Sequence, residues 1–204
     1  MLFIRIIILI VFLIPPVFCY AETEETGDAS IEDLNKAIAA NPKNADIYYN
    51  RGLAHAQSGD TAEAIKDFTK AIALNPRNAD AYYYRGRAHS KSGQNDMAIE
   101  DFKEAIEINP DYYKAYYNRG LVYYGKGLYD EAVKDFDKTI EINPKYAVAF
   151  YHRGLAYALS GYTEKSIDDF QKACGLDLKV ACKKLKSLLG DKQSKPMMPT
   201  KQDE

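Results

Sequence analysis

Three histidines and three cysteines are a small stock of imidazoles and thiols, and their spacing suits neither a metal site nor a nucleophile with its base. His55 and His89 stand 34 residues apart, and the same interval continues to Tyr123 and Tyr157, so both histidines read as packing residues. His152 has no second ligand near it. Neighbouring carboxylates, Asp168 with Asp169 and Asp130 with Glu131, read as a solvated face and a helix N-terminus. The sequence carries no phosphate-cradling glycine loop and no Gly-x-Ser-x-Gly elbow. The expectation is therefore a non-enzyme with no catalytic residue, metal or cofactor.

A second set of reactive types recurs with a strict interval. Arg51, Arg85, Arg119 and Arg153 each precede a glycine, and Asp67, Asp101, Asp135 and Asp169 each precede a phenylalanine, with Asp33 as a fifth. Their chemistry is that of planar guanidinium with carboxylate, which favours bidentate pairing. The pattern predicts that each arginine reaches an aspartate of its own or the preceding block. Such a ladder would fix register more than it stabilises. The functional alternative is that the arginines clamp a ligand's carboxylate.

The elements that must hold these residues follow from an internal repeat. Four ungapped blocks of 34 residues run 45–78, 79–112, 113–146 and 147–180, and residues 30–44 repeat the second half once more. Gly52, Gly86, Gly120 and Gly154 share one place, and Phe68, Phe102, Phe136 and Phe170 another. In the first block Tyr48, Gly52 and His55 fall on one face of a first helix, while Ala64, Ile65, Phe68, Ala71 and Ile72 line a second. Gly59 breaks the two as a C′ glycine, and Asp60 with Glu63 predicts a capping box. Asn75-Pro76, Asn109-Pro110 and Asn143-Pro144 end the second helices. Glycine and alanine at the crossings leave room for the large rings.

These blocks resemble the tetratricopeptide repeat, whose period and Gly, Ala, Phe, Ala, Pro signature they share over about residues 30–180. The resemblance implies an all-α solenoid of helix hairpins. The fourth block departs from it, with Ser166 for the first alanine and Leu178 for the proline. Leu178 predicts continuation into a capping helix over 179–189, with Leu185, Leu188 and Leu189 covering the open end and the lysines facing water.

Composition agrees with one globular array: 204 residues, 47% hydrophobic and 27% charged, so the chain is not a disordered polymer. With 27 basic against 29 acidic residues and a formal charge of −2, it lacks the positive field that nucleic-acid binding needs. Residues 1–21 carry Arg5, an apolar run from Ile6 to Ile14 and then Pro15-Pro16, the order of a secretory signal, with a cut expected before Glu22. An uncleaved anchor and a lipid-modified Cys19 are the competing readings, and membrane contact is expected only in those cases. Residues 22–29 read as a polar linker, 30–189 as the repeat domain and 190–204 as a disordered tail. Cys174 and Cys182 fit either a disulfide or two small core hydrophobes. Eight residues on one straight helix keep them apart, so a bridge needs a turn, which Gly175 and Asp177 could supply.

The resemblance also implies a concave surface built from the first helix of each block, with groove places at the second, fifth, sixth, ninth, twelfth and thirteenth positions. Carried over, these are Asp46, Tyr49, Asn50, Leu53 and Gln57, then Asp80, Tyr83, Tyr84, Arg87 and Lys91. The third block contributes Lys114, Tyr117, Asn118, Leu121 and Tyr124, and the fourth Tyr151, His152, Leu155 and Leu159. Rings beside amides suit an extended peptide, although half-buried tyrosines at the fifth place are also ordinary packing. Arg87, Lys91 and Lys114 would match an acidic part of a ligand, and Leu121, Leu155 and Leu159 an apolar part. The clamp by which some family members hold acidic chaperone tails needs lysine and asparagine where Tyr49, Leu53, Tyr83 and Arg87 stand, so that partner is not expected. The resulting expectation is an exported, periplasmic or extracellular adaptor that binds a protein or peptide in its groove. A self-associating envelope protein, a homo-oligomer without a foreign ligand, is the alternative.

Overall fold

The computed structural model describes residues 30–193, and every regular element among them is a helix. The expected signal, linker and most of the tail lie outside these residues. Helix α1 (Ile31–Ala40) is the leading half-block. Four hairpins follow: α2 (Ala45–Ser58) with α3 (Thr61–Leu74), α4 (Ala79–Lys91) with α5 (Asn95–Ile108), α6 (Tyr113–Gly125) with α7 (Tyr129–Ile142), and α8 (Ala147–Leu159) with α9 (Thr163–Gly175). Helix α10 (Lys179–Gln193) closes the array. Each helix packs on its chain neighbours, and the first helices α2, α4, α6 and α8 also touch one another in series, forming one layer. That layer is the inner face of an α-solenoid.

Helix crossings explain the repeated glycines. A Cβ built on Gly52 would sit 2.8 Å from the Phe68 ring, and on Gly86, Gly120 and Gly154 it would lie 2.8–3.0 Å from Phe102, Phe136 and Phe170. The four phenylalanines are fully buried, as are Ala64, Ala98 and Ala132 beside them. The crossing is therefore a ring laid flat on bare backbone. At the alanine place of the fourth block, Ser166 is buried and its hydroxyl finds no partner among the described residues.

Between the two helices of each hairpin the chain turns through a left-handed residue. Gly59 takes φ 89°, its N–H donates to Ala56 O, and the Asp60 N–H donates to His55 O at 2.8 Å. This paired closure is a Schellman turn, and it recurs at Gly93, Gly127 and Gly161. The expected capping box does not form. Asp60 sits at φ −81°, ψ 68°, away from the extended backbone that aims a capping oxygen at the helix, and Glu63 pairs with Lys66 instead. Between hairpins, Asn75 and Asn143 turn the chain: the Asn75 N–H donates to Ala71 O, and its side-chain oxygen accepts from the Arg77 N–H at 3.2 Å.

The fourth block ends differently because proline is replaced. Asp177 takes the left-handed place at φ 65°, and the Leu178 N–H donates to Ala173 O. This tight turn brings Cys174 and Cys182 to a Cα separation of 4.8 Å, where they form a disulfide between α9 and α10. Helix α10 buries Ala181 against α9, half-buries Leu185 and Leu188, and exposes Leu189 with Lys183, Lys184 and Lys186. It runs four residues beyond the expected limit at Leu189, since a single glycine lowers helix stability by only about 1 kcal/mol and the first proline comes later, at Pro196.

Candidate functional site

Helical spacing puts two sets of side chains on opposite faces of each first helix. One face carries the groove places, and the other carries the arginines.

The arginines are held within their own blocks. Arg51 Nε and Nη2 donate to the two Asp67 oxygens at 2.8 and 2.7 Å, and Arg119 does the same to Asp135 at 2.8 Å twice. Arg85 with Asp101 and Arg153 with Asp169 repeat the fork. Three of the four also reach the preceding block: Arg51 donates to Asn35, Arg85 to Thr69, and Arg153 to Asp137. At the matching place before Arg119 stands Lys103, a cation, and Arg119 makes no such link among the described residues. Asp33 meets no arginine among the described residues and instead accepts from the Ser30 hydroxyl. Each guanidinium also lies 5.5–5.8 Å from the aromatic ring three residues before it. Burial draws the Asp135 and Asp169 carboxyls above the usual carboxylate range against the pull of their arginines. Burial also opposes charge on Arg119 and Arg153, yet their carboxylates hold both above the ordinary guanidinium value. The ladder aligns the array, and its gain in stability is reduced by desolvation.

On the groove face, the fifth-place tyrosine of one block meets the sixth-place residue of the next. Tyr49 and Tyr84 pack edge to face at 5.9 Å. Asn118 Nδ2 donates to the Tyr83 hydroxyl at 3.2 Å and to Lys114 O at 2.8 Å. His152 Nδ1 lies 2.9 Å from Val148 O and 3.1 Å from the Tyr117 hydroxyl. The structure thus brings Tyr83, Tyr117 and Leu53 into the core as the groove's floor, each less than a tenth exposed. Tyr49, Tyr84, Arg87, Lys114, Asn118, Leu121, Tyr124, Tyr151, His152 and Leu155 are half-buried along it, while Asn50, Gln57 and Lys91 stand exposed. Arg87 lies over the Tyr83 and Tyr84 rings at 5.6 and 5.5 Å, which fixes a cation at the middle of the groove. Leu159 is 56% exposed at the end of α8.

Two groove-floor residues escaped the residue-by-residue reading. Tyr112 packs tilted against Tyr83 at 4.9 Å and donates to the Asp80 carboxylate, and Tyr146 packs edge to face on Tyr117 at 5.1 Å. Burial and then Asp80 push the Tyr112 phenol far above its ordinary value, so it stays a donor. The available signal was their block place, which holds the helix-capping Asn44 and Asn78 in the earlier blocks.

Burial pushes the His152 imidazole below its ordinary 6.5, so the folded protein holds it neutral where the unfolded chain would take up a proton. That stability is complete above pH 6.5 and lost as pH falls through the lower folded value. His152→Asn keeps both polar bonds available, as Asn118 shows. It should remove the corresponding slope in a comparison of melting temperatures between pH 7.5 and 5; identical slopes would contradict this account.

Comparison with known proteins decides the family. The tetratricopeptide repeat matches at residues 45–78 and 113–146, at 147–179, at 68–100, and at 28–59 with 86–127. Among solved structures, a crystal structure of MamA is 32% identical with a TM-score of 0.70, covering 74% of this chain and 88% of that one. The chain belongs to the tetratricopeptide repeat family. YrrB, described as a tetratricopeptide protein with an unusual peptide-binding site, is 28% identical with a TM-score of 0.68, covering 76% of this chain and 81% of its own. MamA from Desulfovibrio magneticus RS-1, at 22% identity and a TM-score of 0.68, covering 72% of this chain and 83% of that one, shares the fold. No curated protein matches the chain.

A tetratricopeptide array of this kind supports a protein-binding scaffold, and such scaffolds are generally non-catalytic. Among the described residues no group of three or more His, Cys, Asp or Glu could hold a metal ion, and no helix is long and apolar enough to cross a membrane.

Proposed function

We propose that this tetratricopeptide protein is an exported, non-catalytic adaptor of the cell envelope that binds an extended protein segment along its groove. The observation that carries the reading is the graded floor of the inner layer. Tyrosines packed edge to face lie with Arg87 at the centre, and half-exposed leucines and tyrosines lie toward α8. Rings held rigid by their neighbours bury ligand area with little loss of freedom, and the exposed Asn50 offers an amide to a peptide backbone. The peptide-binding site described for YrrB supports a peptide as the ligand class. Export is supported by the order of residues 1–21 and by the Cys174–Cys182 disulfide, since such bonds persist in oxidising compartments.

The test is a crosslinking pull-down from the source cell's envelope, with the tagged protein as bait and Tyr84→Ala/Arg87→Glu/Lys114→Glu as control. A partner captured by the native protein and lost by an equally helical control is expected. Identical captures would move the binding surface off the groove. Recovery of the bait alone would favour self-association.

A further inference from the structure

Residues 179–189 contain four lysines, Lys179, Lys183, Lys184 and Lys186, and no acidic residue. All four are exposed, and none has an ion pair among the described residues. Elsewhere the array compensates such charges: Lys36 pairs with Glu32, Lys66 with Glu63, Lys103 with Glu100 and Lys138 with Glu141, each within one turn of its own helix. In α10 the spacing instead sets like charges together, Lys179 with Lys183 and Lys183 with Lys186, and the first of them opens the helix, against its dipole. These lysines work against the helix that carries them, although an end face needs only to be polar.

Ala181 is fully buried and Cys182, Leu185 and Leu188 are half-buried, which marks the side of α10 turned to α9. Lys179, Lys183 and Lys186 form a stripe on the opposite side, with Lys184 beside it. Val180 and Leu189 flank the stripe, each 42% exposed. A further helix cannot close over this side as another hairpin would. The Ala181 N–H donates to Leu178 O as the Ala149 N–H donates to Tyr146 O, so α10 stands in the register of a first helix, with Lys186 where α8 has Gly154. A Cβ on Gly154 would lie 3.0 Å from the Phe170 ring, and a lysine at that place removes the bare backbone such a crossing needs. Residue type narrows the partner further. Where this chain grips a carboxylate in fixed geometry it uses arginine, as in the ladder, whereas α10 has only lysine, a point charge that meets many anions at no set angle. A basic helix side edged by exposed apolar residues has the chemistry of a helix lying in a membrane interface.

We infer that the lysine side of α10 seats the protein, end of the array first, on a membrane surface rich in anionic phospholipid. The ammonium groups meet the headgroup phosphates, and Val180 and Leu189 meet the acyl boundary beneath them. The Cys174–Cys182 disulfide fixes α10 to α9, so the array is held wherever the helix is held. The contact is peripheral and goes beyond the reading of the groove, which runs along the array and so away from the surface. Because the contact is between exposed charges, salt weakens it.

The experiment uses the whole protein, purified as its cell processes it, and cosedimentation with vesicles of phosphatidylcholine alone or with about a third of phosphatidylglycerol. Binding to the anionic vesicles in low salt, and release by about 0.5 M salt, are expected. Each lysine near such a surface contributes about fivefold in partitioning, so Lys179→Gln/Lys183→Gln/Lys184→Gln/Lys186→Gln should weaken binding by about a hundredfold or more. The same four positions changed to arginine should bind as the native protein does, since charge and not geometry is read. Removing like charges from α10 should leave the melting temperature of the glutamine variant unchanged or raise it. A lower melting temperature would give the lysines a structural role and overturn the inference. So would equal binding to both kinds of vesicle, no binding to either, or native binding by the glutamine variant. Binding of soluble polyglutamate through the same lysines, with none to the vesicles, would assign the face to an acidic protein instead.

Discussion

Arg119→Met is expected to lower stability by about 3 kcal/mol, because it leaves the Asp135 carboxylate buried and without its fork. Arg119 is the cleanest of the four to remove, since its ion pair is confined to its own block. The expected signature is a double-mutant cycle. Arg119→Met/Asp135→Leu, which removes both charges, should recover most of the loss, since a paired charge in a half-buried site costs nearly as much to desolvate as it returns. Thermal unfolding of the four proteins measures the cycle. Unchanged melting in the single variant, with a large loss of partner affinity, would show instead that the arginines serve a ligand. The groove lies on the opposite helix face, so affinity should change little.

Gly120→Leu should be still more damaging, by more than 3 kcal/mol. A bare Cβ at this position already meets Phe136 Cε1 at 2.8 Å and Asp135 Cβ at 3.2 Å, and Phe136 is fully buried with no room to withdraw. Gly120→Ala alone should cost about 1–3 kcal/mol, the usual range for overpacking, and Gly120→Ala/Phe136→Leu should regain part of it by vacating the ring's place. Each block touches only its neighbours, so damage at the α6–α7 crossing should uncouple the two halves of the array. Circular dichroism on heating should therefore show a broadened or two-step transition in Gly120→Leu. A single transition at the native temperature would mean that the crossing relaxes without cost.

The interval of the glycines and phenylalanines determined the hairpins, because a ring can lie across a helix only where the facing residue has no Cβ. The same interval in arginine and aspartate determined that they would pair, since planar fork and carboxylate are complementary in shape as well as charge. The α6–α7 geometry then follows from local spacing alone. What only the tertiary structure decided is where each side chain is used when two neighbours compete for it. Asp60 has a capping residue's chemistry, but closure of the Schellman turn sets its backbone away from the capping geometry. Tyr83 and Tyr117 stand at groove places, yet the next block's Asn118 and His152 bind their hydroxyls and the rings sink into the floor. Tyr112 and Tyr146 stand where earlier blocks have capping asparagines, and they join that floor from the far side of the block. The cysteine pair likewise depended on Asp177, whose left-handed turn alone brings Cys182 back to Cys174. Periodic residues determine what repeats within a block. Contacts between blocks depend on how far each hairpin is rotated against the next, and that rotation is a property of the packed rings, which spacing along the chain does not encode.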